Sequence, residues 1–195
     1  MTAPGLAAPV ESPPVRVAQP APPSFPRYLY LSPRKPEAGN RVAASSEFTK
    51  AQVFEQAARW KDAMQAYHQS AMLDASWFEA QYNYGVLAYR LRDFSAALAA
   101  YETALAIQPD SINARYNFAL ALKAAGYATD AVNELTRILA VSPGEVRAQL
   151  ALGNLYAQQL HDPARARSFY LKVLELDPRN PQANDIRFWL SANPG

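Results

Sequence analysis

Small and large apolar residues recur along most of the chain with a period of 34 residues. In registers that begin at Ala44, Phe78, Ile112 and Val146, the eighth residue is small, the twentieth is alanine, the twenty-fourth is large and the thirty-second is alanine or proline. The fourth register carries one extra residue. The eighth residues are Ala51, Gly85, Ala119 and Gly153, and the twentieth are Ala63, Ala97, Ala131 and Ala166. The twenty-fourth are Tyr67, Tyr101, Leu135 and Tyr170, and the thirty-second are Ala75, Pro109, Pro143 and Pro178. Small residues let two helices approach, large ones fill the space between them and proline ends a helix, so the pattern predicts stacked helix pairs.

This skeleton resembles the tetratricopeptide (TPR) repeat family, whose repeats are 34 residues long. The closing segments "ALAIQPDS" and "VLELDPRN", which follow Tyr101 and Tyr170, are similar to the end of that repeat. The resemblance implies an all-α fold: a right-handed α-solenoid of four helix pairs with a C-terminal capping helix, preceded by a proline-rich extended N-terminal segment. The chain departs from the family at the fourth position, where the frequent tryptophan is replaced by Glu47, Gln81, Arg115 and Gln149.

The period divides the chain into repeats 44–77, 78–111, 112–145 and 146–180, followed by a cap at 181–190. Within the fourth repeat, Asp162 and Pro163 form a favourable start for the second helix, because Asp caps helix N-termini and Pro suits the first helical position. The alanines Ala97 and Ala131 are expected to be buried where second helices cross their neighbours. The TPR domain is therefore expected to span residues 44–195.

Residues 1–43 form a proline-rich tether, which contains ten of the 16 prolines. Residues 1 to about 24 are expected to be largely disordered, because proline disfavours regular structure in and before itself. Residues 25–31, "FPRYLYL", are unusually apolar for a linker. Two placements are open for them: over the exposed start of the first repeat, or in a groove as an extended strand that binds the domain itself or a partner.

Composition offers little for catalysis, cofactor binding or metal binding. The chain has no cysteine, a net charge of +2 and only two histidines, His68 and His161, which lie in different repeats. Carboxylates such as Glu79, Glu102 and Glu134 are interpreted as scattered over helix surfaces without an obvious pair. No glycine-rich phosphate loop or metal-binding motif occurs. No catalytic, cofactor-binding or metal-binding residue is therefore predicted.

The candidate binding surface is the concave groove, which the first helix of every repeat lines in TPR folds. Positions on one stripe of each helix give an aromatic and amide-rich surface with a few cations. Asparagine both donates and accepts hydrogen bonds, and tyrosine adds apolar area with a polar tip, which suits an extended peptide. A purely structural role for the asparagines is the alternative. The predicted site is Tyr82, Asn83, Val86, Tyr89, Arg90, Tyr116, Asn117, Leu120, Lys123, Arg147, Leu150 and Asn154.

The sequence thus favours a non-enzymatic adaptor that binds a protein or peptide of unknown identity. The alternative is a self-assembling structural component, a homodimer that pairs through the C-terminal helix or the tether. Neither nucleic acid nor direct membrane insertion is expected, given the near-neutral charge and the lack of a long apolar run. No signal peptide is recognised, so a soluble protein is expected, either cytoplasmic or, if an N-terminal segment has been removed, periplasmic or tethered.

Overall fold

A computed structural model describes residues 24–194, and this region contains nine α-helices and no β-strand. The expected disorder of residues 1 to about 24 concerns a segment that lies, apart from its last residue, outside the described residues. The helices are α1 Arg41–Gln56, α2 Trp60–Leu73, α3 Phe78–Arg90, α4 Phe94–Ile107, α5 Ile112–Ala124, α6 Ala128–Val141, α7 Val146–Gln158, α8 Pro163–Leu176 and α9 Ala183–Ala192.

The helices form an α-solenoid of four pairs closed by α9. Each odd-numbered helix from α1 to α7 packs against the helix that follows it, and each pair packs against the next pair. The helix α9 packs on α8, as a cap should. Each repeat therefore presents its first helix (α1, α3, α5 or α7) on one surface, called here the first-helix face. The second helices (α2, α4, α6 and α8) form the second-helix face.

Short polar residues fix where several helices begin. The side chains of Asn40, Asp93, Ser111 and Asp162 each accept a hydrogen bond from a backbone N–H in the first turn of the following helix. The predicted start of α8 at Asp162 and Pro163 is confirmed. The first helix begins at Arg41, slightly earlier than the repeat pattern alone indicates, because Asn40 caps it there.

The interior is built from contacts between small residues and large rings. A Cβ placed at Gly85 would lie 2.8 Å from the ring of Tyr101, and one at Gly153 would lie 2.6 Å from the ring of Tyr170. Each pair joins the eighth and twenty-fourth positions of one repeat. The predicted burial of Ala97 and Ala131 is confirmed, since both are fully buried.

Residues 24–40 have no regular secondary structure and run across the second-helix face. The docked segment, defined as residues 25–32, hydrogen-bonds to Glu102 of α4 and to Asp130 and Glu134 of α6. Its partners thus belong to the second and third repeats. The expectation that the apolar segment covers the start of the first repeat is wrong, and so is its placement in the groove of the first helices.

The side chains of the first two repeats explain this placement. In the furrow between the first two repeats, the ring of His68 packs on that of Tyr84, with 4.7 Å between ring centroids. One repeat later the same two positions hold Glu102 and Phe118. That furrow offers a carboxylate and an aromatic surface, and the docked segment lies there.

Two carboxylates interpreted from sequence as surface residues are in fact buried. Glu102 is 6% exposed and Glu134 is 1% exposed. Both receive hydrogen bonds from the docked segment, which covers them. Sequence periodicity placed them correctly on helix surfaces, but it did not show that another part of the chain lies over those surfaces.

The chain between the docked segment and α1 contacts a further buried carboxylate, that of Asp74. The backbone N–H of Gly39 donates to Asp74 Oδ1 at 3.1 Å, and the Arg41 guanidinium pairs with Oδ2. A Cβ at Gly39 would lie 2.2 Å from the carbonyl oxygen of Leu73, so this close approach requires glycine. Burial of Asp74 opposes its ionisation, but hydrogen bonds from Ser76, Arg41 and Gly39 outweigh burial and hold its pKa below the ordinary 3.8.

Replacing Gly153 by alanine is expected to lower the free energy of unfolding by about 1–2 kcal/mol, because the new methyl group overpacks the Tyr170 ring. The gain in helix propensity, about 1 kcal/mol, offsets only part of that strain. In a Tyr170→Leu background the cost should shrink, since the third repeat already combines Ala119 with Leu135. Urea unfolding of the four chains measures this coupling. Gly144→Ala is the control, because a Cβ there meets nothing within 4 Å.

The ionised Asp74 should stabilise the fold at every pH above its ordinary pKa of 3.8, because its folded pKa lies lower. That contribution is lost progressively as the pH falls toward the folded pKa. Asp74→Asn is therefore expected to cost about 1–3 kcal/mol at pH 7 and clearly less at pH 3. Urea unfolding at both pH values tests it. The exposed Asp110→Asn should change stability by less than about 0.5 kcal/mol, and an equal cost of Asp74→Asn at both pH values would contradict the assignment.

Candidate functional site on the first-helix face

The residues predicted to line the groove lie on α3, α5 and α7. Every one of them is accessible: Arg90 and Arg147 are exposed, and the others are partly exposed. The accessible residues alternate with buried ones such as Ala80, Leu87 and Leu122, which face the interior. The spacing of the sequence pattern therefore separates an interior side from an accessible side on each first helix. The partly exposed residues are Tyr82, Asn83, Val86, Tyr89, Tyr116, Asn117, Leu120, Lys123, Leu150 and Asn154.

A hydrogen bond joins two predicted residues across neighbouring repeats. The Asn117 side-chain N–H donates to the Tyr82 hydroxyl oxygen at 2.9 Å. The Tyr82 ring is in turn stacked on Phe78, at 5.7 Å between ring centroids. Because Tyr82 accepts from Asn117, its own O–H points elsewhere and can donate, while the Asn117 carbonyl oxygen can still accept.

A similar link joins the third and fourth repeats. The Arg147 guanidinium donates to the Asn113 side-chain oxygen at 3.1 Å and lies over the Tyr116 ring, 5.1 Å from its centroid. Glu145 accepts from Arg147 at 2.8 Å and holds the guanidinium in place. The hydrogen bond from Arg147 lowers the pKa of Glu145, so this acid remains ionised at neutral pH. The predicted site does not include Glu145 or Asn113, although both lie close to predicted residues in the repeat pattern.

The other asparagines have different surroundings. Asn154 accepts a hydrogen bond from the Tyr170 hydroxyl at 2.8 Å, so its oxygen is engaged inside the fourth repeat. Asn83 lies near Tyr67 of the first repeat. Burial raises the pKa of Tyr67, and a hydrogen bond to Glu55 adds to the rise, whereas the Asn83 amide acts against it. The asparagines thus serve partly to tie repeats together, as the structural alternative requires.

Arg90 is positioned by an aromatic ring of the first repeat that is not among the predicted site residues. Its guanidinium lies 3.4 Å from the centroid of the Trp60 ring, and Trp60 is the first residue of α2. Such stacking is favourable and orients the cation. The cationic residues Arg90 and Arg147 are therefore both held against aromatic rings rather than extended freely into solvent.

The surface of the solenoid has pockets. One of about 240 Å³ lies between α7, α8 and α9 and is lined by Asn154, Gln158 and Trp189, at the end of the predicted stripe. A larger one of about 560 Å³ lies between the α4–α5 loop, the start of α5 and the end of α6, and none of the predicted site residues lines it. Its two arginines, Arg115 and Arg137, are both paired with Glu134.

The described part of the chain has no cluster of metal-binding side chains. In residues 24–194 no group of three His, Asp or Glu side chains is placed to hold a metal ion. His68 lies in α2 against Tyr84, and His161 is an exposed residue of the turn before α8. Among the helices of this region, none is both long and apolar enough to cross a lipid bilayer.

Comparison with family models identifies the repeats. Two models described as tetratricopeptide repeat match residues 78–111 and 116–190, which together are more than half of the chain. The chain belongs to the tetratricopeptide repeat family.

Similar solved structures agree with this fold. MamA from Desulfovibrio magneticus RS-1 superposes with a TM-score of 0.67 at 20% identity, covering 80% of this chain and 87% of that one. YrrB, a TPR protein with an unusual peptide-binding site, gives a TM-score of 0.69 at 18% identity, with 76% of each chain covered. A tetratricopeptide repeat protein from Parabacteroides merdae gives 0.69 at 18% identity, covering 78% of this chain and 60% of that one. At these identities the likeness shows the fold alone.

One curated protein is similar in sequence. The protein O-mannosyl-transferase Tmtc3 of Drosophila melanogaster is 30% identical over 101 residues. The match covers 52% of this chain but only 11% of that protein. The transferase activity is named for the whole of that much longer protein.

Proposed function

We propose that this chain is a non-enzymatic interaction module that binds an extended segment of a protein partner on its first-helix face. The observation that carries the proposal is the accessible stripe across α3, α5 and α7, in which the Tyr82 hydroxyl and the Asn117 amide are joined at 2.9 Å. Repeat solenoids of this family serve as protein-interaction surfaces, which supports the same class of function.

The linked pair offers one donor and one acceptor at a fixed separation. The Tyr82 O–H can donate to a peptide carbonyl, and the Asn117 carbonyl oxygen can accept from a peptide N–H. An extended backbone carries both groups at each residue, so this arrangement suits a peptide irrespective of its side chains. The partly exposed Val86, Leu120 and Leu150 add apolar area for side chains of the ligand.

The stripe favours binding over catalysis. Its two arginines are held by Trp60, Tyr116 and Glu145, and no titratable pair on it is arranged for proton transfer within the described residues. Glu145 lies beside Arg147 and the exposed Glu79 lies on α3, so acids interrupt the basic surface that the phosphate backbone of a nucleic acid would require.

Removing the amides of Asn83 and Asn117 together is expected to weaken peptide binding at least tenfold. Peptides selected on the chain from a random library provide the ligand, and isothermal titration gives the affinity. Tyr82→Phe, which keeps the ring and removes the hydroxyl donor, should weaken binding by about three- to tenfold, as the loss of one hydrogen bond does. Gln69→Ala, on the exposed surface of α2, is the matched control and should leave the affinity unchanged.

Thermal unfolding must show that the Asn83→Ala, Asn117→Ala double variant is folded at the temperature of the titration. If a folded double variant binds the selected peptides with the affinity of the unaltered chain, these amides do not hold the peptide. The proposal would then be wrong for this face.

Self-pairing through α9 is a second candidate, and one observation favours it. Trp189 packs on Tyr170 with 5.0 Å between ring centroids, whereas the neighbouring Phe188 is 76% exposed. Exposed aromatic side chains on a terminal helix are suited to pairing with another chain. If α9 pairs, light scattering should show a dimer that Phe188→Ser converts to a monomer. A monomer before any substitution would exclude this mode.

A further inference from the structure

The second-helix face contains buried carboxylates whose partners come from the docked segment. Asp130 is fully buried and accepts from the Arg27 side chain, at 2.9 Å for Oδ1 to the terminal nitrogen, and from the Tyr28 backbone N–H at 2.8 Å. Glu134 accepts from the Tyr30 hydroxyl at 3.1 Å and also from Arg115 and Arg137. The side chains of Arg27 and Tyr30 therefore donate hydrogen bonds to two different acids on α6.

Glu102 hydrogen-bonds to the backbone of the docked segment rather than to its side chains. Its two carboxylate oxygens accept from the backbone N–H groups of Leu31, at 3.1 Å, and Ser32, at 2.7 Å. Ser32 has a φ of 46°, in the left-handed region, where the chain turns. Two successive N–H groups therefore converge on one carboxylate, which is a strong, charge-assisted arrangement.

Tyrosine rings of the segment fill an aromatic hollow between these acids. Tyr28 and Tyr30 both lie edge-on to Phe118, at 6.0 and 5.9 Å between centroids, and Tyr28 also lies 5.3 Å from Tyr127. The intervening Leu29 points outward and is 85% exposed. From Tyr28 to Leu31 this alternation is that of an extended strand, so the aromatic surface contacts alternate side chains there.

The acids are costly to bury unless they are hydrogen-bonded. Within residues 24–194, all hydrogen bonds accepted by the carboxylates of Asp130 and Glu102 come from the docked segment. Neither acid is used to hold the helices together. The surface is therefore complementary to an extended strand in charge, aromatic shape and backbone hydrogen bonding at once.

We propose that the second-helix face of the second and third repeats is a sequence-specific peptide-binding site, separate from the first-helix face. Its ligand is an extended segment with the pattern Arg-Tyr-x-Tyr, followed by two residues that present their backbone N–H groups. Residues 25–32 of the same chain are the ligand that occupies it. Recognition depends on Asp130, Glu134 and Glu102 together with the Phe118 hollow. The site binds the same sequence as a separate peptide once the attached copy has been disabled.

The test uses the full chain with Tyr28→Ala and Tyr30→Ala, which weakens the attached ligand without altering the site. The probe is a fluorescein-labelled peptide of residues 24–33, and fluorescence anisotropy measures its binding. The probe is expected to bind this variant at least tenfold more tightly than it binds the unaltered chain, whose site is occupied. Adding Asp130→Asn and Glu102→Gln to the variant should weaken probe binding at least tenfold.

Peptide variants supply matched controls. A probe with Leu29→Ala and Leu31→Ala should bind within about twofold of the original, because Leu29 and Leu31 are exposed in the docked segment. A probe with Tyr28→Ala and Tyr30→Ala should lose binding. Equal binding of both altered probes would show general apolar adhesion and overturn the proposal.

Two further results would also overturn it. One is the absence of probe binding up to about 1 mM, since that is the order of the effective concentration at which an attached segment acts. The other is probe binding that stays equally tight when Asp130→Asn and Glu102→Gln are added to the tyrosine variant.

Amide hydrogen exchange on otherwise unaltered chains gives a second readout if the tyrosine variant fails to fold. There, Glu102→Gln should accelerate exchange at Leu31 and Ser32 more than at Tyr28. Asp130→Asn should accelerate exchange at Tyr28 more than at Leu31 and Ser32. Uniform acceleration along residues 25–32 in both variants would contradict separate recognition by the two acids.

Discussion

The distance between the two helices of each repeat is set by a small residue packed against a large one. In the second and fourth repeats the small residue is glycine, and the rings of Tyr101 and Tyr170 lie where a Cβ would otherwise be. The backbones can approach closely only because of this. The separation of the helices in turn fixes which side chains point inward. Both faces of the solenoid, and the residues accessible on them, therefore depend on this one contact repeated along the chain.

The 34-residue repeat places residues at equivalent positions in every repeat, but the side chains at those positions determine what each surface can bind. In the furrow between the first two repeats, His68 and Tyr84 pack on each other. In the next furrow, Glu102 and Phe118 occupy the same positions and receive the docked segment. A regular scaffold can thus carry a local binding site without any change in backbone. Part of the difference lies in these two side chains, and Asp130 and Glu134, which stand where the preceding repeat has Ala96 and Ala100, supply the rest.

Periodicity predicted the fold well, because helix packing depends on local and regularly spaced residues. Gly85 with Tyr101, and Asp162 with Pro163, carry their structural consequences within one repeat. The accessibility of the predicted stripe follows from the same spacing. Contacts between distant positions could not be read in this way. The docked segment reaches Asp130 from Arg27, a separation of 103 residues, and no periodic signal links them. Glu102 and Glu134 were for that reason interpreted as surface acids.

The two faces differ in the kind of recognition that their polar groups allow. On the first-helix face, Tyr82 and Asn117 are neutral and each can both donate and accept, so they suit a backbone of any sequence. On the second-helix face, Asp130 and Glu102 are acids that only accept when ionised, and their buried position demands donors at fixed places. A buried carboxylate favours a segment that supplies both an arginine side chain, as Arg27 does, and backbone N–H donors. It disfavours a segment that leaves the carboxylate charge unpaired. In the two proposals, the face that the chain itself covers is therefore the more selective one, and the open face suits broader recognition.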